Sequence, residues 1–251
     1  MSTITAPLSS TSRTTLRRMR ERGSHDRGDL YAVLDAGIIC HLGVILDGSP
    51  RVLPTAYGRI GDTLYLHGSV ANGAFGAAAG GPGKSSTAAG GPGKSSTAAG
   101  GPGKSSTTAG VEVCVTVTVL DGLVCARSVN HHSMNYRSAM IFGVARIAAG
   151  DAERLAGLRA ITEHLIPGRW AAAREPNRKE MAATAVLALP LAEASVKTRT
   201  GGPIDEPEDY ALNVWAGVIP VRTVFGTPEP DSDLAPGLHV PLHIRARVTT
   251  G

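Results

Sequence analysis

The groups able to do chemistry in this 251-residue chain gather in four polar clusters. Pro54-Thr55-Ala56-Tyr57-Gly58-Arg59 and Leu64-Tyr65-Leu66-His67-Gly68-Ser69 lie in the first third. His131-His132-Ser133-Met134-Asn135-Tyr136-Arg137-Ser138 and Glu193-Ala194-Ser195-Val196-Lys197-Thr198-Arg199 follow later. Each begins or ends a stretch of strand-forming residues. Barrel rims bring side chains from several strand ends onto one ligand. Hydroxyls, amides and fixed cations together suit a ligand carrying both a phosphate and a polar ring system. On spacing alone, ordinary polar strand ends explain the same clusters equally well.

Other chemistries find less support. Ala78-x4-Gly83-Lys84-Ser85 satisfies a permissive phosphate-loop pattern, recurring at Lys94-Ser95 and Lys104-Ser105. A working phosphate loop needs a buried strand before it and a helix after it, and Ser-Thr-Ala-Ala-Gly-Gly starts no stable helix. No Cys-x-x-Cys, His-Glu-x-x-His or Asp-rich calcium loop is present, so no metal site is expected. The adjacent pairs His131-His132 and Cys40-His41 would point to opposite faces of a strand. A serine hydrolase lacks its Gly-x-Ser-x-Gly elbow. Only Tyr57, His131 and His132 stand out as groups able to protonate a substrate, and no catalytic residue is assigned.

The elements that must position these clusters follow from periodicity. Residues 29–36 read as a helix with Leu30, Val33 and Leu34 inward, stopped at Gly37. Residues 38–46 and 51–57 read as strands joined by the Asp47-Gly48-Ser49-Pro50 hairpin signal. A turn at Gly61-Asp62 leads into residues 63–67. In residues 111–119 every odd position is valine, which makes one strand face wholly apolar. Asp121-Gly122 reads as the next turn, before a strand at 123–129 and a β-rich stretch at 136–148. Asp151 can cap a helix that places Leu155, Leu158, Ile161 and Leu165 on one side and ends at Pro167-Gly168. A short helix at 177–183 and strands at 186–196 and 213–221 complete the pattern. Short strands, tight turns and few helices predict an α+β fold, a mostly antiparallel barrel with peripheral helices.

Domain organisation follows from composition. Residues 1–27 form a basic, partly flexible N-terminal segment containing a short basic helix, and residues 28–225 form the barrel domain. Residues 226–251 form a Pro-rich, loosely held tail. Within the barrel domain, residues 78–107 repeat Ala-Ala-Gly-Gly-Pro-Gly-Lys-Ser-Ser-Thr three times without a substitution. That segment has no aromatic residue to bury and reads as a flexible inserted loop. It supplies much of the glycine excess (31 residues, about 12% against a usual ~7%). Its three lysines also carry most of the net charge of +4. The barrel itself is nearly neutral, and the basic N-terminal run has no interleaved aromatics, so no nucleic-acid partner is expected. No apolar run approaches a membrane span. Three cysteines and no secretory signal predict a reducing, cytoplasmic setting.

Taken in order, the clusters resemble the pyridoxamine 5′-phosphate oxidase-like family of flavin-nucleotide-binding proteins. The resemblance runs from about Arg13 to Pro220. Beyond the four clusters it includes Glu21-Arg22-Gly23, Cys40-His41-Leu42-Gly43, Val113-Cys114-Val115-Thr116-Val117-Thr118, Glu163-His164-Leu165-Ile166-Pro167-Gly168-Arg169-Trp170 and Val214-Trp215-Ala216-Gly217-Val218. It implies a split β-barrel that forms a homodimer and binds FMN in clefts between subunits. Pro54, Thr55, Tyr57 and Arg59 would run beside the flavin ring, with His67, Gly68 and Ser69 near the ribityl phosphate. Lys197, Arg199 and Trp215 would approach from the rim or the other subunit, with Asn135 and Arg137 nearby. Deazaflavin and haem are the alternative cofactors.

One departure bears on affinity. Relatives carry a cation just after the His-Gly-Ser strand end, whereas residues 70–76 here contain none before Lys84. Losing a charge-assisted contact to phosphate costs about 1.5–3 kcal/mol, roughly tenfold to hundredfold in affinity. The resemblance therefore implies an FMN-dependent oxidoreductase acting on a small molecule. The alternatives are a non-catalytic flavin- or haem-binding carrier or sensor, and a paralogue with impaired FMN binding.

Overall fold

The computed structural model describes residues 7–71, 73–78 and 110–248. The repeat expected as a loop at 78–107 therefore falls outside the described residues, apart from Ala78. In chain order the elements are β1 (Gly23–Ser24), α1 (Arg27–Ala36), β2 (Ile39–Leu46), β3 (Ser49–Ile60), β4 (Thr63–Ser69) and α2 (Gly73–Ala78). They continue with β5 (Val111–Cys125), β6 (Ser133–Ile147), α3 (Gly150–Leu165), α4 (Arg169–Ala172) and α5 (Arg178–Ala183). β7 (Thr184–Pro190), β8 (Glu193–Arg199), β9 (Gly217–Pro220) and α6 (Leu242–Arg245) complete the chain.

Six antiparallel strands close into a ring, β2-β3-β4-β7-β6-β5 and back to β2, with β8 and β1 added on β6 and β9 on β5. The barrel is split where long strands change partners. β3 pairs with β2 as far as Ala56 and with β4 from Tyr57 onward. β6 pairs with β8 over Tyr136 to Phe142, then reaches β7 only through Arg146 and Ile147. The fold is thus α+β, a mostly antiparallel split barrel with peripheral helices.

Its interior is the apolar face that the valine alternation predicts. Val113, Val115 and Val117 of β5 meet Leu42, Leu64, Leu66, Ile141, Leu187 and Leu189, all buried. Each such side chain contributes on the order of 1.5–3 kcal/mol by leaving water. Asp26 caps α1 by accepting the N–H groups of Gly28 and Asp29, so Leu30, Val33 and Leu34 turn inward and close one end of the ring. α3 lies outside β3, β4 and β7 over a second apolar cluster of Tyr65, Ile161, Val186 and Ala188. It crosses so closely that a Cβ on Gly58 would stand 2.3 Å from the Ala160 carbonyl carbon.

Several local expectations are corrected by tertiary contacts. Asp121-Gly122 is not a turn: β5 runs on to Cys125, with a register shift between Leu120 and Gly122 against β6. Arg137 on β6 grips the Asp121 carboxylate at 2.8 and 2.9 Å, and β9 pairs with Gly122 to Cys125, so the dipeptide becomes a bulge. The stretch 186–196 breaks after Pro190, which lacks a ladder donor, into β7 beside β4 and β8 beside β6. Only Gly217–Pro220 of the stretch 213–221 is strand. α3 starts at Gly150 (φ +64) rather than at a capping Asp151. Glu153 instead accepts the Ala149 N–H and two Arg146 hydrogen bonds, which draw its pKa down to about 2. The N-terminal basic run forms only a single 3-10 turn, Arg20–Arg22.

Candidate functional site

The twelve residues singled out for a cofactor divide between two walls of the barrel. On one wall β3 and β4 part company, because β3 leaves β4 for β2 at Ala56, and that divergence opens a corner. His67 projects there half-buried. Its Nδ1 is buried without a hydrogen-bond partner, and burial holds the imidazole pKa below its usual value. The ring is therefore a neutral group with an unmet polar atom. Gly68 has no room for a side chain, since a Cβ would stand 2.6 Å from the Phe75 ring of α2. Ser69 Oγ accepts the Ala71 N–H at 3.2 Å and remains exposed. Thr55 is half-buried with a long 3.4 Å contact to the Ala56 carbonyl, and Pro54 is exposed. Past Ser69, no described residue from Val70 to Ala78 is charged.

Tyr57 and Arg59 continue along β3 but turn away from that corner. Tyr57 is wholly buried, its hydroxyl donates to the Leu34 carbonyl at 2.6 Å, and burial pushes its pKa up. Arg59 donates to both Asp35 oxygens at 3.0 and 3.1 Å, and its guanidinium lies over Tyr31, 4.0 Å from the ring centre.

On the far wall, two strand steps from β4 by way of β7 and three from β3 by way of β2 and β5, the β6–β8 rim is committed to its own chain. Asn135 donates to the Gly201 carbonyl at 3.0 Å and accepts from Arg199, whose guanidinium also reaches the Gly202 carbonyl at 3.0 Å. Arg137 holds Asp121. His131 Nδ1 contacts the Ile204 carbonyl at 2.8 Å, and His132 Nδ1 accepts the Ala126 N–H at 3.2 Å. Lys197 is half-buried beside Ser138, and Trp215 is 68% exposed. One chain thus sets Pro54 and Thr55 on the part of β3 that pairs with β2, and His67, Gly68 and Ser69 at the end of β4, with Asn135, Arg137, Lys197 and Arg199 on other strands and Trp215 just before β9.

Sequence reasoning missed the carboxylates that fix the rim. Asp205, with no exposed side-chain surface, takes Arg127 at 3.0 Å and the Arg127 N–H at 2.9 Å, clamping the segment after β8 onto the β5–β6 connection. No local signal marks a lone aspartate for that role. Among the described residues no group of three or more His, Cys, Asp or Glu could hold a metal ion, and no helix is long and apolar enough to cross a membrane.

Two cavities flank the α1 end of the barrel. One of about 490 Å³ includes Glu21, Arg22, Arg137 and Thr198 in its lining. The other, of about 440 Å³, lies between α1, β3 and α3 and is lined by Leu34, Asp35, Tyr57, Arg59, Arg159 and Glu163, among others.

Comparison with solved structures returned the flavocytochrome Anf3 from Azotobacter vinelandii. It is 36% identical, with a TM-score of 0.79 over 98% of this chain and 100% of that one. The FAD and heme binding protein from Mycobacterium smegmatis is 34% identical, with a TM-score of 0.75 over 90% of this chain and 97% of that one. A search of curated proteins returned no match. The pyridoxamine 5′-phosphate oxidase family profile matches residues 26–93 and 95–198, from the start of α1 through β8. Split barrel, strand order and profile agree, and the chain belongs to the pyridoxamine 5′-phosphate oxidase family.

Proposed function

We propose that this chain is a flavin-binding redox protein that also carries haem, with its flavin seated at the β3–β4 corner. The observation that carries the reading is His67, a neutral, half-buried imidazole with one unmet nitrogen. It stands beside the exposed Ser69 hydroxyl at a strand divergence. Such groups suit the polar edge and ribityl chain of a flavin, whose ring needs a flat slot and a few hydrogen bonds.

The cation-free turn after β4 bears on which flavin binds. FMN ends in a monophosphate that wants a fixed charge close by. FAD adds an adenylyl group, whose second phosphate and adenosine spread binding over more contacts than that single one. FAD is therefore the better fit. Likeness over nearly the whole chain to a flavocytochrome and to an FAD and heme binding protein supports this reading, and extends past residue 198, where the family profile stops. An iron ligand would be an imidazole, and His67 on β4 and the exposed His41 on β2 are the candidates. A bound flavin and haem would supply the electron transfer, while the chain's own residues position them and limit water.

The reading includes a homodimer. Ile39, Ile45, Val52, Met140 and Val144 stand exposed on one outer sheet face, around the exposed His41, and a second copy would cover them. Its Lys197 and Trp215, less committed than the rest of the rim, could then complete the corner. An oxidoreductase acting on a small molecule, with FMN or deazaflavin in the corner, is the second reading, favoured by the family profile.

The visible spectrum of the purified protein tests the proposal. Flavin bands together with a Soret band are expected, and phosphodiesterase treatment of the released flavin should raise its fluorescence if it is FAD. A colourless protein that takes up neither added flavin nor haem overturns the proposal.

A further inference from the structure

The cavity between α1, β3 and α3 has a chemistry of its own. It sits at the Thr63 end of β4, because Arg59 and Ile60 pair with Leu64 and Thr63, and so lies at the opposite end of that strand from Ser69. Its floor is one face of α3: Ala156, Arg159, Ala160 and Glu163 recur at helical spacing, and the two alanines leave the space open. Its walls are apolar or aromatic. Leu34 and Ile60 line it beside the tilted ring pair of Tyr57 and His164, whose centres lie 4.6 Å apart.

The polar groups around that space are out of balance. Both acids have their oxygens engaged. Asp35 takes Arg59 through both oxygens, and Glu163 accepts the N–H groups of Gly168 and Trp170 at 2.6 and 2.8 Å. The donors are not all engaged. Arg59 Nε is buried without a partner. Arg159 makes no hydrogen bond or ion pair with any described residue, and acts on Glu163 only through space. His164 contacts the Gly37 carbonyl through Nε2 at 2.8 Å, so that nitrogen carries the proton, and Nδ1 of the neutral ring is left as an acceptor. Arg159, exposed and without a partner among the described residues, is the cavity-lining cation that an acceptor from outside the chain can reach.

We propose that this cavity binds a small, flat organic monoanion, its carboxylate on Arg159 and its apolar body against His164, Ile60, Ala156 and Ala160. The volume of about 440 Å³ is in the range of small-molecule sites and suits a two-ring compound. The proposal is independent of the flavin reading.

The test uses 2-naphthoate as the probe and uncharged 2-naphthamide as its control, titrated calorimetrically into the protein as purified, with whatever cofactor it carries. Naphthoate should bind at least tenfold more tightly than naphthamide. Arg159→Gln should remove that preference, and Ala156→Leu, which fills the floor, should abolish binding of both. Arg159 is exposed, so its variant should fold, and circular dichroism checks both variants. No naphthoate binding at millimolar concentration, binding unchanged in both variants, or displacement of bound flavin by the probe would each overturn the proposal.

Discussion

The β3–β4 corner and the β6–β8 rim hold similar polar residues and use them in opposite ways. At the rim, Asn135, Arg137 and Arg199 are bonded to Asp121 and to the carbonyls of Gly201 and Gly202, so their donors serve the fold. At the corner, His67 keeps a buried nitrogen without a partner and Ser69 remains exposed. An Arg or Asn beside a strand end is therefore no guide to a ligand until its own chain's acceptors have been accounted for. Met polarity makes the rim a clasp on the segment after β8, whereas the corner keeps polar groups that the proposed flavin would meet.

The largest test of this contrast is Arg199→Gln. It removes the donor to the buried Asn135 oxygen and the tie to the Gly202 carbonyl, and should lower stability by about 3 kcal/mol, measured by urea unfolding. Flavin bound per folded molecule should stay the same. A large loss of flavin at unchanged stability would reverse the roles assigned to the two regions. Gly68→Ala should come next. Its methyl group meets the Phe75 ring, and overpacking of this kind costs about 1–3 kcal/mol. Here flavin content should fall together with the unfolding midpoint.

His67→Ala should separate the two properties. Stability should change by less than about 1 kcal/mol, as for a half-buried group with no partner to lose. Flavin affinity should fall about tenfold, near 1.4 kcal/mol, by equilibrium dialysis; unchanged affinity would remove His67 from the site. The smallest effect is a pH dependence. Burial depresses the folded-state pKa of both His67 and His164. The unfolded chain therefore binds more protons below the ordinary histidine pKa of about 6.5. Stability from these two groups is complete above that pH and is lost as pH falls toward their folded values. The urea midpoint should drop between pH 7.5 and pH 5, and His67→Gln with His164→Gln should flatten that drop.

Much of the barrel was legible because its signals are local. The valine alternation of residues 111–119, the Asp47-Gly48 hairpin and the α1 stripe of Leu30, Val33 and Leu34 each specify a period and a buried face. The misreadings share a cause. Asp121-Gly122 has turn chemistry, yet β6 and β9 both pair across it. Residues 186–196 read as one strand, yet their halves belong to different neighbours. Long-range pairing outweighed local preference in both, since several ladder hydrogen bonds and buried side chains exceed the propensity of a dipeptide.

The candidate site followed the same division. The amino-acid sequence by itself determined the α+β barrel class, the residue types at the strand ends and the absence of a cation in the turn after Ser69, since all three are properties of composition and spacing, and the family entered through the resemblance of its clusters. Only the tertiary structure decided that Tyr57 belongs to the core, that Arg137 and Arg199 serve their own chain, and that His67 has an unmet nitrogen. It alone opened a cavity between α1, β3 and α3 beside Arg159. Whether a polar atom is satisfied depends on partners tens of residues away, and no local pattern records them.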